Sequence, residues 1–379
     1  MSPIRCLDVG EDSFDRGLAH GRSFKDDVAA NLKTYLRRFE ASGLAPADAL
    51  AEGARWQAAM ARQNDDYVAE MKGIAAGAEQ SEAAVALLNA RYEVAFTLFG
   101  RDAQKSDAQA RDTTIASPGI AETDGCTSFG ALPEATADGH TWLGQNWDWL
   151  AGIHGHTLVL RIRRSRRPSL VCLTEAGIVG GKMGVNETGI GLVENGLACD
   201  HDGRNPYQKP FHMRCREVLD ADRYDDALRP VVETRRTCSA NFVIGAAGGE
   251  IIDLETSPDH VCVLHPADGL ITHANHFLGT GHGESQMERI GPGTLFRAAR
   301  LRRLLTQANG RLGLAAFHAA TSDHFGLPNG ICRHPDERQP EAKRTMTAGA
   351  VLIDLDARLM HVANGPPCTH DYVPFAVET

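Results

Sequence analysis

Two neighbouring stretches, ETDGCTSFGAL (Glu122–Leu132) and GHTWLGQNWDWL (Gly139–Leu150), decide how this chain is read. Each holds a short run rich in aromatic, apolar and threonine residues, which is the pattern of a β-strand. A buried hairpin accounts for both runs. It does not account for Gly125-Cys126-Thr127, a cysteine set directly behind a glycine where the first run begins. Taken alone, that dipeptide reads most simply as a small core residue after a turn glycine.

The segments on either side of the hairpin differ in texture. Immediately upstream, residues 101–124 (RDAQKSDAQARDTTIASPGIAETD) are polar and aperiodic, and read as an exposed linker. Before that linker, residues 22 to about 98 read as helical. Phe24, Val28, Leu32 and Tyr35 make one apolar stripe. A second helix is expected from Pro46, a third in DDYVAEMKGIAAGAE, and a fourth in SEAAVALLNARYEVAFTLF starting at Ser81 and Glu82. Downstream, strand-like runs follow one another as CTSFGAL, TWLGQNWDW, TLVLRIR, SLVCLTE, GIGLVENGL, NFVIGAA, EIIDLET, VCVLH and LITHAN. AGAVLIDLD and LMHVAN close the chain, and helices interrupt at about 210–236 and 294–320. Consecutive strands joined mostly as hairpins predict antiparallel sheets covered by helices, not βαβ units.

Composition narrows the function classes. The chain has 379 residues, 42% hydrophobic and 23% charged, enough for one large core or two smaller ones. A net charge of −10 argues against a nucleic-acid partner or an anionic membrane surface. The basic run RIRRSRR (Arg161–Arg167) reads as a solvated strand end and turn. With no apolar leader and no apolar run of the roughly 18 residues that a spanning helix needs, a soluble, cytoplasmic protein is expected. Nine scattered cysteines, none in C-x-x-C spacing, point to reduced thiols and against a structural zinc site. No metal is expected: without HExxH, the pairs His154/His156 and His273/His276 read as core or surface histidines. GGKMG (Gly180–Gly184) departs from a P-loop at Ala176 and Met183 and reads as a flexible turn.

A polar linker feeding a strand that starts with a nucleophile suggests a chain that cuts itself. The Cys126 thiol would attack the Gly125 carbonyl, and water would resolve the thioester. The Cys126 α-amine freed by the cut has an ordinary pKa of about 7.7–8.0 and is able to act as base for its own thiol.

Several further motifs, in order, carry a resemblance. They are DGCTS (124–128), GQNWDW (144–149), TEAGIVGGKMGVNETGIG (174–191) and THANHF (272–277), with DRGLAHG (15–21), GICR (330–333) and KRTMTAGAVLID (343–354) in support. Together they resemble the isopenicillin N acyltransferases (acyl-CoA:6-aminopenicillanate acyltransferases), which are autoproteolytic N-terminal-nucleophile (Ntn) hydrolases. The resemblance implies an α+β fold, a four-layer αββα sandwich of two antiparallel sheets. It implies a helical first chain, 1–125, held noncovalently on a catalytic chain, 126–379. Cys126 is then the nucleophile released by cleavage of Gly125-Cys126, Asp148 the carboxylate orienting its amine, and Asn275 the oxyanion-hole donor. Asn195 is a further candidate for polar contacts, and Arg344 matches a family arginine that binds a substrate carboxylate. Lys343 replaces the family's serine at the preceding position, so the resemblance does not fix the substrate. The expected activity is an amidohydrolase or acyltransferase acting on a small-molecule N-acyl amide, without cofactor. A CoA-dependent N-acyltransferase using acyl-CoA as co-substrate is the alternative. A non-catalytic binding protein with a structural Cys126 is the reading from another class.

Overall fold

The hairpin forms as read. The computed structural model describes residues 4–98, 125–233, 235–308 and 312–378. In it, β2 (Thr127–Ala131) and β3 (Trp142–Leu150) pair antiparallel, Thr127 opposite Asn146 and Ala131 opposite Trp142. The linker expected at 101–124 lies outside the described residues. Around the hairpin, β11 (Leu270–His273) flanks β2, while β12 (Thr345–Asp354), β13 (Leu359–Ala363) and β14 (Val373–Ala376) extend the sheet beyond β3. The second sheet has eight strands. Their spatial order is β1 (Arg5–Val9), β4 (Thr157–Ile162), β5 (Leu170–Glu175), β6 (Met183–Asn186), β7 (Ile190–Gly196), β8 (Ala240–Ala246), β9 (Glu250–Thr256) and β10 (Val261–Leu264).

The two sheets pack face to face, with β2 and β3 against β7 and β8. Helices α7 (Phe211–Leu219) and α8 (Tyr224–Val232) cover the outer face of the eight-stranded sheet. Helices α10 (Thr294–Thr306) and α11 (Leu314–Thr321), preceded by the short α9 (Met287–Ile290), cover the outer face of the other. The result is four layers, αββα. Among the described residues no helix is long and apolar enough to cross a membrane.

The structure corrects the sequence reading in several places. The first segment is not purely helical, because its β1 joins the large sheet in parallel with β4, so that sheet is not wholly antiparallel. The stretch read as a flexible turn, GGKMG, runs into β6, whose four residues are too few for alternation to show. The fourth helix is broken into α5 (Glu82–Asn89) and α6 (91–98). The break lets Asn89 reach the turn after β5 while Arg91 reaches Glu175 at the end of that strand. In a straight helix, residues two apart do not face one another.

That turn, Ala176–Val179, is gripped by the first segment. Asn31 on α2 (Lys25–Glu40) donates to the His156 and Ala176 carbonyls at 3.0 and 2.9 Å. Asn89 donates to the Gly177 carbonyl and accepts from Val179 N–H, and His20 on α1 (Ser13–Ser23) accepts from Gly177 N–H. Asn31 thus interrupts the apolar stripe read from Phe24 to Tyr35 for a reason: it satisfies two buried carbonyls. Helix α3 (Pro46–Ala61) starts at Pro46 as expected. Helix α4 (Asp65–Ala78) packs on α1 glycine to glycine. A methyl group on Gly17 would sit 2.0 Å from the Glu70 carbonyl oxygen, and one on Gly73 2.1 Å from that of Phe14. The glycines of DRGLAHG therefore serve close helix approach.

Electrostatics tie the same segment down. Arg91 pairs with Glu175 through Nε at 3.0 Å and through Nη2, and the Tyr35 hydroxyl donates to the other Glu175 oxygen at 2.5 Å. Arg161–Arg167 is more than a solvated turn. Arg164 is buried on Asp220 at 2.6 Å, while Arg161, Arg166 and Arg167 reach Asp8, Glu11 and Asp66 of the first segment. The buried pair matters most, since removing one partner leaves a desolvated charge. Glu175→Gln should destabilise the protein by about 3–5 kcal/mol, read as a lowered midpoint in thermal melting. Glu79→Gln, which removes an exposed partner of Lys25, should change it by less than about 0.5 kcal/mol.

Candidate active site

Strand alternation sorts the hairpin's side chains onto two sides. From β2, Ser128 points between the sheets, where its hydroxyl donates to Asn195 Oδ1 at 2.6 Å. Thr127 and Phe129 point the other way, toward α10 and α11. Cys126 precedes β2 and is 2% exposed, in the large apolar core. Its sulfur lies 4.0 Å from the Asp148 carbonyl oxygen. Continuing the β2–β3 register one step past Cys126 sets Gly125 opposite Asp148.

Two buried guanidinium groups converge on the Gly125–Cys126 unit. Arg297, on α10 and 0% exposed, donates through Nη1 to the Gly125 carbonyl, to the Cys126 carbonyl at 2.7 Å and to Thr127 Oγ1 at 2.8 Å. Its Nη2 donates to Asn275 Oδ1 at 2.7 Å. That bond fixes the amide's orientation, so the Asn275 nitrogen points away from Arg297 and gives one proton to the Gly196 carbonyl at 3.0 Å. The Asn275 backbone N–H is held by Thr294 Oγ1 at 2.7 Å.

Arg333 approaches from another side. Its Nε lies 3.4 Å from Asp148 Oδ2, and its Nη1 donates to Thr345 Oγ1 at 3.0 Å. Asp148 Oδ1 accepts from Thr347 Oγ1 at 2.6 Å, at a β-bulge between Thr347 and Gly349 that shifts the β3–β12 register. Gly125 lies flat against this guanidinium. A methyl group on its Cα would sit 2.4 Å from Arg333 Cζ. A side chain there would have to displace this buried guanidinium from beside Asp148.

The opposite side of the hairpin is polar as well. The side-chain nitrogen of Asn195 is buried and has no hydrogen-bond partner among the described residues. Leaving such a donor unused costs about 1–3 kcal/mol. Nearby, Lys182 Nζ lies 3.3 Å from the Trp147 ring centre, 3.8 Å from Glu194 and 3.9 Å from Glu175. Burial lowers the Lys182 pKa and Arg91 adds to that, while Glu194, Glu175 and the Cys126 thiol oppose it.

The structure thus brings Gly125, Cys126, Asp148 and Asn275 together through two arginines, with Asn195 beside them. It places Arg344 elsewhere. That side chain donates to the Gln339 and Glu337 carbonyls and lines a surface groove with Arg37 and Glu40. Sequence reasoning missed Arg297, Arg333, Thr347 and Lys182. GICR and GGKMG contain two of them, and only the buried surroundings of those motifs could have singled them out. The histidine pairs are engaged locally: His154 with the Asn364 carbonyl, His156 with Asp27, His273 with Glu255 and His276 with Thr294.

Comparison with known proteins adds the family. The model of the family described as acyl-coenzyme A:6-aminopenicillanic acid acyl-transferase matches residues 135–367. The chain is 28% identical over 361 residues to the acyl-coenzyme A:6-aminopenicillanic-acid-acyltransferase 40 kDa form of Emericella nidulans. That alignment takes in 94% of this chain and 86% of the relative. Among solved structures, penicillin V acylase from Agrobacterium tumefaciens aligns with TM-score 0.45 and 12% identity, over 66% of this chain and 86% of that one. A Caenorhabditis elegans N-acylethanolamine-hydrolyzing acid amidase ortholog aligns with TM-score 0.47 and 12% identity, over 61% and 93%. The match over residues 135–367, more than half of the chain, means that it belongs to the acyl-coenzyme A:6-aminopenicillanic acid acyl-transferase family.

Proposed function

We propose that the chain cuts itself between Gly125 and Cys126 and then works as an N-terminal cysteine amidohydrolase or acyltransferase on small-molecule N-acyl amides. One observation carries this reading: the carbonyl oxygen of Gly125 is bound by the buried Arg297 guanidinium. A carbonyl so held is polarised, and a cation already in place stabilises the negative charge that develops on the oxygen when a nucleophile adds. The adjacent nucleophile is the Cys126 thiol.

In self-cleavage the sulfur adds to the Gly125 carbonyl carbon and the C–N bond breaks. The thiol proton goes to the departing nitrogen, and the chain is left joined as a thioester. Water then releases the Gly125 carboxylate and regenerates the thiol. The freed amine lies on the Asp148 side, where Arg333 already balances the carboxylate. In turnover the amine takes the thiol proton, sulfur attacks the substrate carbonyl, and the second N–H of Asn275 serves the oxyanion. The amine then protonates the leaving group. Water resolves the acyl-enzyme to an acid, and an amine acceptor resolves it to a new amide. The first chain stays attached through β1, the Ala176–Val179 turn and the buried Arg91–Glu175 pair. No resident cofactor enters this scheme, and nine free thiols suit a reducing cytoplasm.

The name of the Emericella relative favours a second reading, acyl transfer from acyl-CoA. Comparing products from acyl-CoA and from N-acyl amides, with and without an amine acceptor, separates the two.

A denaturing gel of purified protein should show two pieces, the larger starting at Cys126 by N-terminal sequencing, and Cys126→Ala should run as one intact band without turnover. Intact, inactive wild-type protein would leave only the binding-protein reading. Arg297→Gln should slow self-cleavage by roughly 10²–10³-fold while Arg297→Lys retains part of the rate. Processing of Arg297→Gln at the wild-type rate, in protein with unchanged circular dichroism, would remove Arg297 from the mechanism. The amine sits near two guanidinium groups and one carboxylate, and the excess positive charge favours its neutral form. Hydrolysis should therefore rise with pH through an apparent pKa below the ordinary range of about 7.7–8.0, measured as kcat/KM against pH.

A further inference from the structure

Outside the site just described, two cysteines and two histidines from distant parts of the chain meet at one point. They are His324 and the pair Cys332 and His334, all in the segment between α11 and β12, and Cys368 in the turn between β13 and β14. All four donor atoms lie within 4.8 Å of one another. Cys332 Sγ is 3.5 Å from Cys368 Sγ and 3.7 Å from His334 Nε2. Cys368 Sγ is 3.3 Å from His334 Nε2, which is 3.2 Å from His324 Nε2.

These distances have a simple geometric meaning. A tetrahedral zinc ion with Zn–S near 2.3 Å and Zn–N near 2.05 Å separates its ligand atoms by about 3.8 Å for S···S, 3.6 Å for S···N and 3.3 Å for N···N. Each of the four measured separations lies within about 0.3 Å of its counterpart. A disulfide, with sulfurs about 2.05 Å apart, does not fit, and both thiols are free. Hydrogen bonding explains the cluster poorly, because thiols are weak donors and acceptors. Two imidazole nitrogens and two sulfurs all turned to one centre are what a borderline-soft cation gathers.

We propose that His324, Cys332, His334 and Cys368 bind a structural zinc ion. The surrounding backbone is braced for it. Cys332 N–H bonds to the Asp323 carbonyl at 3.0 Å, and Asp323 is itself clamped by Arg300 at 2.5 and 2.6 Å. His334 N–H bonds to the Pro328 carbonyl, and the Cys368 turn is closed by Thr369 N–H on the Pro366 carbonyl. Four protein ligands close the coordination sphere, so the ion holds structure and does no chemistry of its own. It fixes the backbone on both sides of Arg333, making that arginine a positioned partner of Asp148. Zinc binding does not depend on self-cleavage. Only this consequence for Arg333 rests on the proposed function.

Full-length protein, with both pieces if it has been cut, should be produced in zinc-supplemented medium, dialysed without chelator and assayed for metal by mass spectrometry. One zinc per chain is expected, falling at least tenfold in Cys368→Ala and in the more exposed His324→Ala. Cobalt exchanged into the wild type should give tetrahedral d–d bands with thiolate-to-metal charge transfer, absent from Cys368→Ala. Alkylation of unfolded protein without reductant should label all nine cysteines. Wild-type protein that takes up neither zinc nor cobalt would overturn the site. So would zinc content unchanged in both variants, or a Cys332–Cys368 disulfide in the native protein.

Discussion

Arg297 lies fully buried on a helix that shows other arginines to solvent, and its guanidinium touches two consecutive carbonyls, a threonine hydroxyl and the Asn275 amide. A desolvated cation persists only where acceptors surround it. Here those acceptors are the backbone of Gly125 and Cys126 themselves. The interaction that satisfies the cation is therefore the one that polarises the peptide unit beside the thiol. It also orients Asn275, since an amide whose oxygen accepts from Arg297 must turn its nitrogen the other way. Stability and the proposed chemistry at this site share one set of hydrogen bonds.

The hairpin that presents Cys126 is held by partners from separate parts of the chain. On one side, β12 contributes Thr347 to Asp148 across a bulge. On the other, β7 and β8 contribute Asn195 and Asn241, which meet over Ser128. Farther out, the first segment wraps the turn after β5 with Asn31, Asn89, His20 and Arg91. Each of these closes a backbone or carboxylate group that would otherwise be buried unpaired. Apolar packing alone would let the segment slide, whereas these bonds set one register.

What could be read in advance follows from how local each signal is. The β2–β3 hairpin, the Pro46 and Ser81 helix starts and the strand-rich second part are set by periodicity and capping, so they were legible. Strand β1 was not, because it has one neighbour, a parallel strand some 150 residues away in sequence. Motifs single out Cys126, Asp148 and Asn275, and the fold brings the three to one place. Arg297 sits in TLFRAARLRR, where four arginines look alike, and only the fold decides which one is buried. Lys182 was hidden in a glycine-rich run that resembled a turn. The two cysteines and two histidines near Arg333 defeat spacing rules altogether: the two cysteines stand 36 residues apart, and the loops holding them meet only in the folded chain.

The two guanidinium groups at the Gly125–Cys126 unit differ in what cleavage would do to them. Arg297 bonds to Cys126, Thr127 and Asn275 as well as Gly125, so it keeps most of its partners when Gly125 leaves. Arg333 keeps Asp148 and Thr345 but loses the residue that lies flat on it. The space opened by the cut is therefore bounded by Arg333 and Asp148, next to the new amine and away from the apolar core. Because sulfur takes Gly125 as its acyl group in the proposed cut, the space beside Arg333 and Asp148 that Gly125 would vacate is where the acyl carbonyl of a substrate would stand.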